Sequence, residues 1–248
     1  SPRSNYIKFE WCDKVNVLID KHINSVYFED INTEVYGFSY HQREIKEPLL
    51  DNVKVQHEDR INILMAHAGT PTNIPFDLNL LESKGFDYIA LGHIHKPEIL
   101  RKRIAYAGSI EPIDKTDIGK RGFIVGEIKK DKEAQEESHI EFYFKEHSYR
   151  QYINIEVKDT ITNGQMHDLV KETLEQHKST NIFIITLSGY KDPDIKFDTN
   201  TIYSFANVIE VIDSTKANYD FNQLFRDNKD NIIGSYISYV EDYREDEN

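Results

Sequence analysis

The chain has 248 residues, 39% hydrophobic and 29% charged, with a formal charge of −13 at neutral pH. That length holds a full core and more naturally two modest domains than one, and the charge argues against a protein that coats nucleic acid through a general positive field. No stretch approaches a membrane span, Ser1-Pro2-Arg3-Ser4 has no signal-peptide apolar core, and the single cysteine, Cys12, excludes an internal disulfide framework and fits a reducing cytoplasm.

The first part is rich in strand signals: Val15 to Ile19, Ser25 to Phe28 and Glu34 to Tyr40 are short runs of β-branched and aromatic residues. Ile61 to Ala66 and Tyr88 to Leu91 are almost wholly apolar, as buried strands of a layered α/β domain are. Between them Ile74 to Lys84 has apolar residues at helical spacing, with Gly85 as its stop. A strand–helix–strand unit follows, which would set the two apolar strands parallel in one sheet. Arg103 to Ala107, Gly122 to Ile128 and Ile140 to Lys145 are further expected strands, and the charged stretch Lys129 to Ser138 reads as an exposed hairpin connection. The character changes near Tyr149. Tyr152 to Val157 alternates as a strand, Gln165 to His177 is an amphipathic helix, and Asn181 to Leu187 and Val208 to Ile212 are strands. Short helices are expected around Phe221 to Phe225 and Ile232 to Tyr239, before an acidic, frayed end at Glu241 to Asn248. The expected organisation is an α/β domain over 1–148, a small α+β domain over 149–240 and a tail over 241–248.

Both buried runs lead into histidine, as Ala66-His67-Ala68-Gly69 and Leu91-Gly92-His93-Ile94-His95. Loops beyond the carboxyl ends of such strands carry the chemistry of these folds, and neutral imidazole is the commonest nitrogen donor for divalent metals. In extended chain His93 and His95 would leave on the same side while Ile94 points into the core. The other seven of the ten histidines sit in polar contexts and read as surface or structural residues. From Lys96 to Arg121 seven basic residues face four acidic ones, so a locally basic rim follows the histidines; an ordinary solvated loop is the competing reading.

Gly92-His93-Ile94-His95-Lys96-Pro97 resembles the last ligand box of the calcineurin-like metallophosphoesterases, and Met65-Ala66-His67 resembles the box before it. Tyr106-Ala107-Gly108-Ser109-Ile110-Glu111-Pro112 and Gly119-Lys120-Arg121-Gly122-Phe123 are similar to the segments that follow in the SbcD-type DNA repair exonucleases, including YhaO-like proteins. The second half resembles that family's capping domain at Asn181 to Gly189 and Val208 to Asp213. The resemblance implies a layered β-sandwich nuclease core followed by a cap. It also implies two divalent ions, Mn2+ by preference, with His67 and His93 ligating one and His95 the other. DNA would be the substrate, with Lys96, Arg101 and Arg103 as candidates for steering its backbone. An SbcC-like coiled-coil ATPase and a homodimer are implied partners, and no membrane is.

The family's early ligand boxes, an Asp-x-His, a Gly-Asp and an Asn-His, are not read here, and Ser1-Pro2-Arg3 resembles the residues that follow the last of them. Two metals about 3.5–4 Å apart need shared oxygen ligands, which three neutral imidazoles do not supply. The expectation is therefore a core truncated at its N-terminal side, whose 248 residues alone bind manganese weakly and hydrolyse little. Two further readings stand beside this one. The first is a phosphatase or nucleotide phosphodiesterase of the same superfamily; the second is a scaffold or partner-binding module without metals.

Overall fold

The computed structural model describes residues 8–130, 138–160 and 162–245, with side chains to residue 240. Within these, the chain is a mixed α/β protein of two compact units, 1–151 and 152–248. The expectations for Ser1-Pro2-Arg3 and for most of the Lys129 to Ser138 connection lie outside the described residues.

Unit 1 is organised by a six-stranded sheet: β1 (Asn24–Phe28), β2 (Thr33–Gly37), β3 (Ile61–His67), β4 (Tyr88–Gly92), β5 (Glu98–Arg101) and β6 (Ile104–Tyr106), ordered β1-β2-β3-β4-β6-β5. β2, β3, β4 and β6 run parallel, and the antiparallel β1 and β5 close the two edges. Leu64 and Ala66 of β3, Ile89 and Leu91 of β4, and Tyr36 of β2 form the core, with Leu50, Phe86 and Ile104 packed among them. Their period of two follows from the pleat, which turns alternate side chains to one face.

The connection between β3 and β4 is less helical than its periodicity suggests, since α1 spans only Leu78–Glu82. Ile74 precedes Pro75, which disfavours a helical backbone there, and Asp77 caps the helix by accepting from the Leu80 N–H at 2.8 Å. Val15 to Ile19 form no strand. Their carbonyls are taken singly, Leu18 by the Ser39 hydroxyl and Ile19 by His41, so no ladder forms. Beyond the sheet, β7 (Gly122–Lys129) and β8 (His139–Glu146) make an antiparallel ribbon, with Phe142 of β8 against Tyr88 of β4 at 5.3 Å between ring centroids.

Unit 2 carries a wholly parallel sheet of β9 (Tyr152–Lys158), β10 (Ile182–Ser188) and β12 (Val208–Asp213), with β10 central. The short β11 (Tyr190–Lys191) and β13 (Lys216–Ala217) pair beside it. α2 (Asn163–Glu175) opens with a Thr162/Gln165 capping box and buries Met166, Val170 and Leu174, one apolar residue per turn. Parallel strands joined through a helix depart from the expected α+β arrangement. β10, with Phe183, Ile184, Ile185 and Leu187 all buried, has the two-sided burial of a central parallel strand. α3 (Phe221–Asp227) and α4 (Ile232–Glu245) follow, α4 running on through residues expected to fray.

Candidate metal centre at the carboxyl ends of the parallel strands

The β3–β4 register pairs His67 with Gly92, so the histidines that follow the two strands emerge at the same end of the sheet. His93 Nδ1 lies 3.2 Å from His67 Nε2, with the rings edge to face at 5.0 Å between centroids. On its other side His93 Nε2 meets the Thr70 hydroxyl at 3.2 Å. That hydroxyl donates to Asn73 Oδ1 at 3.1 Å, which leaves it lone pairs to accept from a His93 Nε2–H; in that tautomer Nδ1 is the unprotonated nitrogen. Thr70 and Asn73 had no signal in the sequence beyond closeness to His67, and Tyr40, whose hydroxyl donates to the His67 carbonyl at 2.6 Å, is 27 residues away and had none.

The backbone here is strained. His93 adopts φ +92°, a conformation rare for residues other than glycine and concentrated at functional sites. It replaces the extended geometry expected for His-x-His. His93 turns to His67, whereas His95 turns to Asp117, its Nδ1 3.1 Å from Oδ2. Gly69 (φ +130°) lets the loop after β3 pass under Tyr106, since a Cβ there would lie 1.9 Å from the Tyr106 hydroxyl. That hydroxyl donates to the Ala68 carbonyl at 2.9 Å, which ties β6 to the histidine-bearing loop.

Burial lowers the pKa of His67, and the neighbouring His93 and His95 lower it further because three imidazolium charges would repel. A neutral ring with an available lone pair is the form that binds metals. Two nitrogens each about 2.1 Å from one cation and nearly at right angles would lie roughly 3.0 Å apart, so the His67–His93 spacing suits neighbouring positions in one coordination shell. Among the described residues, however, no group of three or more His, Cys, Asp or Glu side chains converges to hold a metal. The histidine pair fits two positions of a shell, and the described residues do not complete it. Asp20-Lys21-His22 has the bare Asp-x-His spacing that the sequence reading overlooked, but it precedes β1 in coil, where Asp20 Oδ2 accepts from Asn24 at 3.0 Å.

The basic candidates separate by position. Lys96 is exposed in the loop just after His95. Arg101 pairs opposite Ile104 at the amino end of β6, and Arg103 immediately precedes β6, so both lie at the end of the parallel strands remote from the histidines. Arg101 reaches Glu82 at 3.4 Å, and Arg103 donates to the Asp87 carbonyl at 3.2 Å and the Ser138 carbonyl at 2.7 Å. Asp117, counted in the sequence only as one acid in a basic stretch, is the unexpected member of the site. Burial raises its pKa, but the Ile113 N–H, His95 and Arg121 outweigh this and hold the carboxyl below its usual range.

The chain is 36% identical over 110 residues to the DNA double-strand break repair protein Mre11 of Methanocaldococcus jannaschii, a match covering 41% of this chain and 30% of that protein. The likeness supports a relation to the broader Mre11-type group without singling out the SbcD branch. No family model matches the chain, and no helix among the described residues is long and apolar enough to cross a membrane.

Proposed function

We propose that this chain contributes the histidine side of the metal centre of a DNA-cleaving phosphoesterase of the double-strand-break repair type. The observation that carries the reading is the convergence of His67 Nε2 and His93 Nδ1 to 3.2 Å at the ends of adjacent parallel strands. The strained backbone of His93 and the likeness to Mre11 support it. In this reading His67 and His93 hold one divalent cation and His95 a second, Mn2+ being suited to imidazole and carboxylate ligands. Such a pair, when bound, polarises a phosphodiester and lowers the pKa of a water for in-line attack. The chain's own part is to present neutral imidazoles at fixed positions, with Thr70 and Tyr40 holding the loop. Lys96, at the histidine end, is the basic residue best placed to meet a phosphate; Arg101 and Arg103 serve the opposite end. Residues 1–148 act as nuclease domain and 149–240 as a cap, in a cytoplasmic assembly with DNA, an SbcC-like ATPase and a second copy of the protein.

The 248 residues alone are expected to bind Mn2+ weakly, because the converging donors are two neutral imidazoles with no carboxylate between them. The test uses the intact protein on linear duplex DNA, with a small aryl phosphodiester as the competing substrate. Mn2+-dependent cleavage of DNA that His93→Ala abolishes, with the circular dichroism spectrum retained, is the expected result. Full cleavage by His93→Ala removes that residue from the site, and preference for the aryl ester favours the small-substrate enzymes. A second reading, a partner-binding module without metals, draws on the absence of a three-ligand cluster among the described residues. Metal analysis of the intact protein decides between the two.

A further inference from the structure

Asp117 lies in the turn between β6 and β7 with its carboxylate buried. Oδ2 accepts from the Ile113 N–H at 2.9 Å and faces His95 Nδ1 at 3.1 Å, while Oδ1 faces Arg121 Nη2 at 3.4 Å. His95 is thus held twice, because its carbonyl also accepts from the Ser109 N–H at 2.9 Å. That second contact depends on Gly108 (φ +76°), where a Cβ would meet the His95 carbonyl at 2.6 Å.

We propose that Asp117 is the positioning residue for His95, fixing the ring as its Nδ1–H tautomer and presenting Nε2 as the nitrogen open to a divalent cation. The cation half of this inference rests on the function proposed above; the tautomer half does not. A carboxylate only accepts hydrogen bonds, so the proton between the two groups belongs to Nδ1. A neutral imidazole carries one proton, which leaves the Nε2 lone pair free. An outer carboxylate that orients a ligand histidine is a general device of metal sites, and its loss typically weakens metal binding about 10–100-fold.

The surroundings are hard to explain by stability alone. The Arg121 side chain is only 3% exposed, and its Nε, the hydroxyls of Ser109 and Ser148 and Glu111 Oε2 are buried without hydrogen-bond partners among the described residues. These residues are neighbours: the Ser109 carbonyl accepts from Gly122, and the Arg121 carbonyl from Ser148. Apolar side chains would usually pack such a space at least as stably as a buried ion pair whose polar neighbours are unmatched among the described residues. A node that anchors a carboxylate against His95 supplies the missing reason. His139 and Glu141 make a contact of the same 3.1 Å length, but both are more than two-thirds exposed and hold nothing in place.

The test is long-range proton–nitrogen NMR on the metal-free 248-residue chain labelled with nitrogen-15 histidine, at about pH 8 where imidazoles are neutral. His95 is expected as the Nδ1–H tautomer in at least tenfold excess, against the ordinary Nε2–H preference at His139. In Asp117→Ala the acceptor is gone, so the ring should relax to the ordinary Nε2–H preference. An Nε2–H tautomer at wild-type His95 overturns the proposal with no variant needed, as does a tautomer unchanged in a folded Asp117→Ala. In the intact protein Asp117→Asn should weaken Mn2+ binding about 10–100-fold, with partial recovery in Asp117→Glu. A tautomer set by Asp117 but Mn2+ affinity unchanged by its loss overturns the metal reading of His95, while the positioning of the ring stands.

Discussion

Both units are built on parallel strands with apolar interiors, yet their strand ends differ in kind. In unit 2, β9, β10 and β12 end in Lys158, Ser188 and Asp213, whose polar atoms are satisfied by neighbours: Ser188 by Glu156 and Asp213 by Lys191, at 2.7 and 2.8 Å. In unit 1, β3 ends in His67 and β4 runs into His93 at φ +92°, beside a buried ion pair whose neighbouring polar atoms are unmatched among the described residues. Unit 2 shares the milder features, since Asp159 just after β9 lies at φ +55° and the Thr160 hydroxyl is buried with no hydrogen-bond partner among the described residues. What sets the unit 1 end apart is the histidine pair next to a nearly fully buried ion pair, and that combination marks it as the place where folding was compromised for chemistry.

The contrast is most sharply tested at the two ion pairs. Arg121→Met should destabilise unit 1 by about 3–5 kcal/mol, because it leaves the Asp117 carboxylate buried without its cation. Lys191→Met should cost unit 2 no more than about 1 kcal/mol, since Asp213 stays partly in water. Urea unfolding read through hydrogen exchange of β3 and β10 amides separates the two effects. Equal losses would show that the two pairs are equivalent and erase the distinction.

Glycines give a second, smaller contrast. Gly69→Ala places a methyl group on the Tyr106 hydroxyl in a packed core and should cost about 3 kcal/mol, releasing the loop that carries His67. At Gly189 (φ +84°) the nearest obstacle is the end of the Asp159 side chain, which can turn aside, so alanine should cost about 1–2 kcal/mol, chiefly for its left-handed backbone. The same hydrogen-exchange comparison reads both, and a cheap Gly69→Ala would mean that Tyr106 does not restrain the loop.

Much of this was legible in the sequence, for identifiable reasons. Apolar runs long enough to be buried strands, punctuated by glycine, predicted β3 and β4, their parallel pairing and the common exit of His67 and His93. The β5 segment Glu98-Ile99-Leu100-Arg101 carries no clear strand signal, because it is short, follows Pro97 and has charge at both ends. The helical spacing that begins at Ile74 is misleading, since Ile74 precedes Pro75 and lies at φ +49°, outside the helical region. The divergence of His93 and His95 was not readable, since a positive φ at histidine has no compositional mark and is imposed by the packing around it. Asp117 was hidden in a charge count. The Asp117–Arg121 spacing was the available hint, but that both would be buried follows only from the folded turn.

The gentlest probe of the site is acidity. Its ordinary value near 6.5 is the value His67 has when unfolded, and burial together with the charges of His93 and His95 lowers it in the folded chain. Above about pH 6.5 both states carry a neutral ring and the contribution to stability is complete. As the pH falls, the unfolded chain takes up the proton first, so stability is lost until the pH has passed through the folded value, and then levels off. The β3 amides should therefore exchange more readily, at matched intrinsic rates, near pH 5.5 than near pH 7.5, and His67→Gln should flatten that difference in unit 1. A slope unchanged in His67→Gln would place the titration elsewhere and would mean that the ring pays no penalty for charge, contrary to the close histidine pair on which the proposed metal centre depends.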